Sequence, residues 1–153
     1  TDPQNFGSIL RSAMFLGADG IIVNKLDSCG LTPAVSKVSS GALEFLNLYQ
    51  VKYTQKFLAD LKLKHDFAVV SSKLGDEAIN LEDLSFTPGK NILLVLGSEG
   101  AGVSRAVDNE ATHHVCIPPR LDSSLVGKAP FDTIDSLNVG VSAALMIHTM
   151  RQK

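Results

Sequence analysis

Short apolar runs alternate along this chain with stretches in which apolar residues recur every three or four positions. The short runs are typical of buried strands, and the periodic stretches are typical of amphipathic helices. Strands are predicted at residues 20–23, 46–51, 67–71, 92–96 and 114–117. A loop is predicted at residues 2–7, and helices are predicted at 9–16, from 32 onward, at 54–65, 104–110 and 139–148. This alternation predicts an α/β fold with a mostly parallel sheet flanked by helices.

A glycine-rich loop, residues 97–102, directly follows the apolar run Ile92–Leu96. An unbroken apolar run is typical of a strand that is buried on both faces of a sheet. Ligands of open α/β sheets bind at the carboxyl ends of strands, where this loop lies. Its glycine spacing, G-x-x-G-x-G, matches neither the dinucleotide-binding loop nor the P-loop. These residues alone leave two interpretations open, a ligand site or a structural turn between a strand and a helix.

Composition narrows the function classes further. The 153 residues suit one domain. The formal net charge of −2 argues against strong non-specific binding of nucleic acid by this segment alone, but it does not exclude a local basic face. No apolar run approaches the ~20 residues of a membrane span. Cys29 and Cys116 are far apart, which favours a reduced intracellular protein. The spacing of His113, His114 and Cys116 matches no common zinc motif, so no metal site is predicted.

Two basic residues and one long segment are candidates for function. Arg11 lies in the first predicted helix, where base rates of exposure favour an ordinary solvated arginine. Lys37 is a candidate phosphate contact, and its alternative is an ordinary exposed lysine. Residues 121–135 form a long segment without clear periodicity, and long loops in compact domains tend to be functional or mobile.

Three separated segments carry a family resemblance when they are taken together. They are residues 2–13 (DPQNFGSILRSA), residues 96–104 (LGSEGAGVS), and Ile117-Pro118 followed by residues 136–144 (SLNVGVSAA). In this order and spacing they resemble the three motifs of the SpoU (TrmH-like) branch of the SPOUT RNA methyltransferases. Residues 28–37 and 41–44 are also similar to the mitochondrial large-subunit rRNA methyltransferase subgroup. The resemblance covers nearly the whole chain.

The resemblance implies a fold and an activity that periodicity does not show. The family threads its C-terminal segment through a loop to form a deep trefoil knot, which makes a pocket for S-adenosylmethionine. Its members are homodimers that methylate a ribose 2′-hydroxyl in rRNA or tRNA. The subgroup implies a guanosine of mitochondrial large-subunit rRNA and a mitochondrial rather than cytoplasmic location. Residues 1–153 would be the catalytic domain, without the family's first strand and N-terminal RNA-binding domain.

The resemblance also implies roles for individual residues. The expected cofactor-binding residues are Leu96, Gly97, Ile117, Ser136, Leu137 and Asn138. Asn5 and Glu99 are expected to order the active site, and Arg11 is the expected catalytic residue. Because a guanidinium is almost never deprotonated, Arg11 is predicted to hold the target phosphate and the developing alkoxide rather than act as a base. Lys37 and Arg120 are predicted to contact RNA, and no metal is expected.

The chain departs from the family pattern at three places. Gly140 stands where the family usually has serine, Pro119-Arg120 replaces the common Met-Gly, and Leu121–Asp135 is a longer insertion than usual. Two other functions stay open, a tRNA 2′-O-ribose methyltransferase of the same branch and a non-catalytic RNA-binding module in ribosome assembly. Retention of the motif residues argues against the second of these.

Overall fold

The structure is a computed structural model that describes residues 2–26, 29–73, 75, 77–98, 100, 102–120 and 136–153. Its helices are α1 (Pro3–Phe15), α2 (Pro33–Val38), α3 (Thr54–His65), α4 (Arg105–Asp108) and α5 (Val139–Met150). Its strands are β1 (Ile21–Asn24), β2 (Leu48–Val51), β3 (Ala68–Ser72), β4 (Ile79–Asn80), β5 (Ile92–Val95) and β6 (His113–Cys116). Single turns of 3-10 helix lie at Ala42–Glu44 and Leu81–Asp83. This order confirms the predicted α/β class.

The start of α1 corrects the prediction of a loop at residues 2–7. Asp2 is the N-cap, and its carboxylate accepts a hydrogen bond from the Asn5 backbone N–H at 3.2 Å. Pro3 occupies the first helical position, where its missing N–H costs no hydrogen bond and its fixed φ suits the helix. Asn5 and the buried Phe6 are therefore helical.

The described strands form two parallel sheets rather than the single sheet that was predicted. β1 pairs with β2, so that Ile21 lies opposite Leu48 and Asn24 opposite Val51. The other strands form a sheet in the order β4-β6-β3-β5. All of its pairings are parallel, which brings the carboxyl ends of β5 and β6 to the same edge on either side of β3.

Two clusters of buried side chains form the core. The larger cluster joins the four-stranded sheet to α5 and contains Val70, Leu81, Leu84, Val115, Met146 and Met150. The smaller cluster joins α1, α2 and the β1–β2 sheet around Phe6, Leu10 and Val35. Within the described residues, no helix is both long and apolar enough to cross a bilayer.

Small residues let α1 approach its neighbours closely. A Cβ atom on Gly7 would lie 2.6 Å from Cβ of Val38 in α2. A Cβ atom on Gly140 in α5 would lie 2.9 Å from Oγ of Ser8. Because real Cβ atoms are essentially never that close, both positions need glycine unless the neighbour moves. Helix α1 is thus packed against α2 and α5, and its first turn is held in place for the site described next.

Candidate active site

Two of the expected cofactor-binding residues directly follow strands of the four-stranded sheet. Leu96 follows β5, and Ile117 follows β6. Since β3 separates these strands, their ends are about 10 Å apart, or two strand spacings. Both side chains are partly buried and pack against the larger core cluster. Packing fixes the side chains, and the backbone of the two loops is presented at the carboxyl edge of the sheet.

The loop after Leu96 folds back on itself. Ser98 and Gly102 exchange two backbone hydrogen bonds, of 3.1 and 2.8 Å. Gly100 and Gly102 have φ values of +81° and +65°, a region that glycine adopts without a steric penalty. A Cβ atom on Gly97 would lie 2.3 Å from the carbonyl carbon of Gly102. Gly97 is therefore required by the loop's own close approach, whatever ligand the loop binds. Glu99, expected to order the site, lies outside the described residues.

The first and third motifs meet through Asn5 and Asn138. The side-chain N–H of Asn138 donates to Oδ1 of Asn5 at 2.7 Å, across 133 positions of sequence. Oδ1 of Asn138 accepts from the backbone N–H groups of Gly140 and Val141 at 2.9 and 3.3 Å, which makes Asn138 the N-cap of α5. One asparagine thus caps α5 and joins it to the first turn of α1.

Ser136 and Leu137, the other expected cofactor-binding residues of the third motif, come directly before this cap. Both are exposed, and Leu137 leaves 47% of its surface open to solvent. An apolar side chain held open beside polar backbone groups offers a surface on which a flat aromatic ring can pack. Gly140 follows the cap, and its contact with Ser8 gives a physical reason for glycine where the family usually has serine.

Arg11 projects from the exposed side of α1. It lies six residues after Asn5, which places it about 9 Å further along the helix axis. Phe6, Leu10 and Ala13 form the buried side of the same helix. Among the described residues, no carboxylate forms an ion pair with Arg11. Its guanidinium is accordingly available to an anion that approaches from solvent.

The two predicted RNA contacts are separate from one another. Lys37 is exposed in the last turn of α2. Arg120 donates to Oε1 of Glu82 at 2.6 Å, and both side chains are about three-quarters exposed. Exposed ion pairs of this kind are worth at most about 1 kcal/mol, so a competing anion can displace Glu82 from Arg120. The rest of the longer insertion, Leu121–Asp135, lies outside the described residues.

A polar cluster that the sequence did not indicate surrounds Asp108 on the α3–α4 side of the sheet. Ser71 Oγ donates to Oδ1 of Asp108 at 2.7 Å, and His114 Nε2 lies 3.1 Å from the same oxygen. Lys73 Nζ lies 3.5 Å from Oδ2 of Asp108 and pairs with Glu77 at 2.8 Å. Burial raises the pKa of Asp108, but the Ser71 hydrogen bond and the neighbouring His114 and Lys73 side chains outweigh it and hold that pKa below its ordinary value.

This cluster has the residue types of a hydrolase triad but not its arrangement. In a triad, serine donates to histidine and histidine to aspartate, whereas here Ser71 donates directly to Asp108. Ser71 is buried, so no substrate reaches its hydroxyl. Neighbouring His113 packs edge-on against Phe86 on the other side of the sheet, so the two histidines do not share a site. The cluster joins α4 to β3 and β6, and its role is structural.

The sequence is similar to known proteins along nearly its whole length. Residues 1–148 match the sequence model of the SpoU rRNA Methylase family. The chain is 34% identical to "rRNA methyltransferase 1, mitochondrial" of Homo sapiens, over 97% of this chain and 42% of that protein. It is 37% identical to the protein of the same name from Schizosaccharomyces pombe, over 98% of this chain and 48% of that protein. The chain therefore spans about half the length of these relatives.

Solved structures agree with these sequence matches. A TrmH-family protein from Porphyromonas gingivalis superposes with a TM-score of 0.82 at 29% identity, over 100% of this chain and 57% of that one. The SpoU methyltransferase AviRb from Streptomyces viridochromogenes, solved with the cofactor AdoMet, gives a TM-score of 0.79 at 27% identity. That superposition covers 99% of this chain and 56% of AviRb.

Proposed function

This chain belongs to the SpoU rRNA methylase family, and on that premise we propose that it is an S-adenosylmethionine-dependent 2′-O-ribose methyltransferase acting on rRNA. The observation that carries the proposal is the 2.7 Å hydrogen bond between Asn5 and Asn138. It joins the first and third motifs, which are 133 positions apart in sequence, and so holds the helix that carries Arg11 beside the residues proposed to bind the cofactor.

The residues at the carboxyl edge of the four-stranded sheet suit this cofactor. AviRb, which is similar over nearly all of this chain, was solved with AdoMet bound. In this chain, the folded-back glycine loop offers backbone N–H and C=O groups to an adenine edge, and the backbone at Ile117, which Pro118 and Pro119 follow, offers carbonyl groups. Leu96, Ile117 and the exposed Leu137 supply apolar surface. The proposal assigns these residues, with Gly97, Ser136 and Asn138, to the cofactor pocket, and it includes the trefoil knot of the family.

The cofactor supplies a sulfonium methyl group that is already reactive, so the protein's task is positioning and charge stabilisation. The methyl carbon bonds to the ribose O2′, the bond from sulfur to that carbon breaks, and the O2′ proton passes to the neighbouring phosphate or to solvent. Arg11 is proposed to hold the target phosphate and to stabilise the negative charge that develops on O2′. Its exposure and its lack of a carboxylate partner among the described residues support that role.

A homodimer is part of the proposal. Helix α5 buries one face against the core, and its opposite face exposes Val141 at 50% and Leu145 at 43%. These two residues are four apart and therefore lie together on one side of the helix. An exposed apolar pair on a surface helix suits packing against a second copy of the chain.

The substrate and the location rest on the named relatives. The human and fission yeast proteins carry rRNA and mitochondrial in their names, which supports mitochondrial rRNA, with guanosine as the proposed nucleotide. A tRNA is the alternative substrate within the same branch. Parallel methylation assays with rRNA and tRNA transcripts distinguish the two.

Calorimetric titration with S-adenosylmethionine tests the cofactor half of the proposal. The expected result is saturable binding to the folded protein, with ATP as an adenine-containing control that binds far more weakly. Absence of binding by protein with a native circular dichroism spectrum would contradict the proposal.

A further inference from the structure

A second surface of distinctive chemistry lies at the carboxyl ends of β1 and β2 and at the start of α3. We call it the lysine–tyrosine surface, and it consists of Lys25, Lys52, Tyr53 and Lys56. The backbone N–H of Lys25 donates to the carbonyl of Val51 at 2.8 Å, which places Lys25 beside Lys52. Lys52 Nζ lies 5.2 Å from the centre of the Tyr53 ring. Lys56, in the first turn of α3, lines the same surface depression as Lys52 and Tyr53.

Tyr53 is open to solvent although aromatic rings are usually buried. Its side chain is 66% exposed, and it follows the carboxyl end of β2 directly after Lys52. An open depression of about 240 Å³ lies beside it and is lined by Val51, Lys52, Tyr53, Lys56, Phe57 and Asp60. The Tyr53 ring is therefore available to a ligand that approaches from solvent.

The charge of this surface differs from that of the chain as a whole. The chain has a net charge of −2, and four described lysines, Lys62, Lys64, Lys73 and Lys90, pair with carboxylates elsewhere. The three lysines of the lysine–tyrosine surface have no carboxylate partner among the described residues. The nearby Asp60 is paired with Lys64 at 2.9 Å. The result is a local positive patch on an acidic chain.

We propose that the lysine–tyrosine surface docks a single-stranded segment of the substrate RNA; this proposal rests on the proposed function. The lysines neutralise phosphates, and the Tyr53 ring stacks on an unpaired base, a combination typical of single-strand binding. Lysine is depleted at protein–protein interfaces, which favours nucleic acid over a protein partner. The surface thus adds a substrate contact separate from the one expected at Arg11.

Fluorescence anisotropy with a labelled single-stranded oligouridylate tests this proposal. Tyr53→Ala is expected to weaken binding about tenfold, and Tyr53→Phe is expected to bind as wild type because stacking needs the ring but not the hydroxyl. The triple variant Lys25→Gln/Lys52→Gln/Lys56→Gln is expected to lower the slope of log affinity against log salt by about 2.

Matched controls come from similar residues elsewhere. Phe45 is an exposed aromatic residue beyond the opposite end of β2, and Lys90 is a lysine paired with Asp66. Phe45→Ala and Lys90→Gln are both expected to leave oligouridylate binding unchanged. If they weaken binding as much as the lysine–tyrosine variants, the surface has no special role and the proposal is wrong.

Two outcomes separate this proposal from its rivals. If Tyr53→Ala leaves oligouridylate affinity unchanged but alters the sedimentation of the protein, the surface is an interface between copies of the chain and the RNA proposal is overturned. If the variants bind oligouridylate as wild type while S-adenosylmethionine still binds and RNA is still methylated, only the docking proposal fails. If the wild-type protein does not bind S-adenosylmethionine, that result counts against the proposed function instead.

Discussion

The carboxyl ends of β5 and β6 and those of β1 and β2 share one backbone geometry but carry different chemistry. At β5 and β6, the loops contain glycines at 97, 100 and 102, and the side chains nearby are apolar. Just after β1 and β2, three lysines and Tyr53 are exposed to solvent. The first arrangement suits a small ligand held mainly by backbone groups, and the second suits a polyanion with stacked bases.

This difference shows that the location rule for α/β sheets, which names the edge where ligands bind, does not by itself identify the ligand. The rule places ligands at the carboxyl ends of parallel strands, and both described sheets of this molecule have such an edge. The residue types decide which class of ligand each edge suits. If the two regions have separate roles, substitutions at the β5–β6 edge should change cofactor binding or methyl transfer, and substitutions at the lysine–tyrosine surface should change RNA affinity.

Arg11→Ala should have the largest effect. Loss of a group that stabilises developing charge is expected to lower the rate of methyl transfer about a thousandfold, while S-adenosylmethionine affinity stays close to wild type. Single-turnover assays with labelled cofactor measure the rate. Arg105→Ala, which removes an exposed arginine of α4, is the matched control and should turn over normally. Near-normal turnover of Arg11→Ala would remove Arg11 from the mechanism.

Gly97→Ala should have the next largest effect. The added Cβ would lie 2.3 Å from the carbonyl carbon of Gly102, so the loop must open. A displacement of this size is expected to weaken S-adenosylmethionine binding about a hundredfold, as measured by calorimetry. Gly30→Ala is the control, because its Cβ would have no neighbour nearer than 3.8 Å. Equal losses in the two variants would show that the glycine loop has no special relation to the cofactor.

Asn138→Ala should lower the free energy of unfolding by about 2 kcal/mol, since it removes both the α5 cap and the hydrogen bond to Asn5. Asn138→Asp keeps the capping oxygen but loses the N–H donor, so about 1 kcal/mol of destabilisation is expected. Urea denaturation measures both values. If Asn138→Asp is as destabilised as Asn138→Ala, the cap does not contribute separately from the contact between α1 and α5.

Asp108→Asn should have the smallest effect, because Asp108 belongs neither to the β5–β6 edge nor to the lysine–tyrosine surface. The pKa of Asp108 is lowered in the folded protein, so its carboxylate contributes stability above its unfolded pKa of about 4 and loses it as the pH falls through the folded value. Urea midpoints of wild type and Asp108→Asn should therefore converge as the pH falls from neutral to acid. Binding of cofactor and RNA by Asp108→Asn at neutral pH should be unaltered. A difference between the two urea midpoints that does not change with pH would show that the Asp108 charge does not contribute to stability.

Periodicity predicted the class of the fold but not its details. The apolar run Ile92–Leu96 predicted β5 to within a residue, because buried parallel strands are continuous apolar segments. The bounds of β6 were also predicted to within a residue, although β6 begins with two histidines. The first turn of α1 was missed because Pro3 resembles a loop residue until Asp2 is recognised as a cap. β4 was missed because two residues, Ile79 and Asn80, are too few to show alternation.

The candidate site was predicted unevenly, for physical reasons. Motif resemblance located Asn5 and Asn138, but their hydrogen bond depends on how α1 and α5 pack, which no local pattern encodes. The cluster around Asp108 was not predicted, because its partners come from three separate elements and none has an unusual neighbour in sequence. The ion pair of Arg120 with Glu82 was not predicted either, because its two residues are 38 positions apart in sequence.

The position of the transferred methyl group tests the central claim most directly. The full-length protein is incubated with methyl-labelled S-adenosylmethionine and large-subunit rRNA, and the RNA is then digested to nucleosides for mass spectrometry. The proposed function predicts label in a 2′-O-methylated nucleoside, and its loss in Arg11→Ala. Label on a base, or no transfer by protein that binds the cofactor, would contradict it.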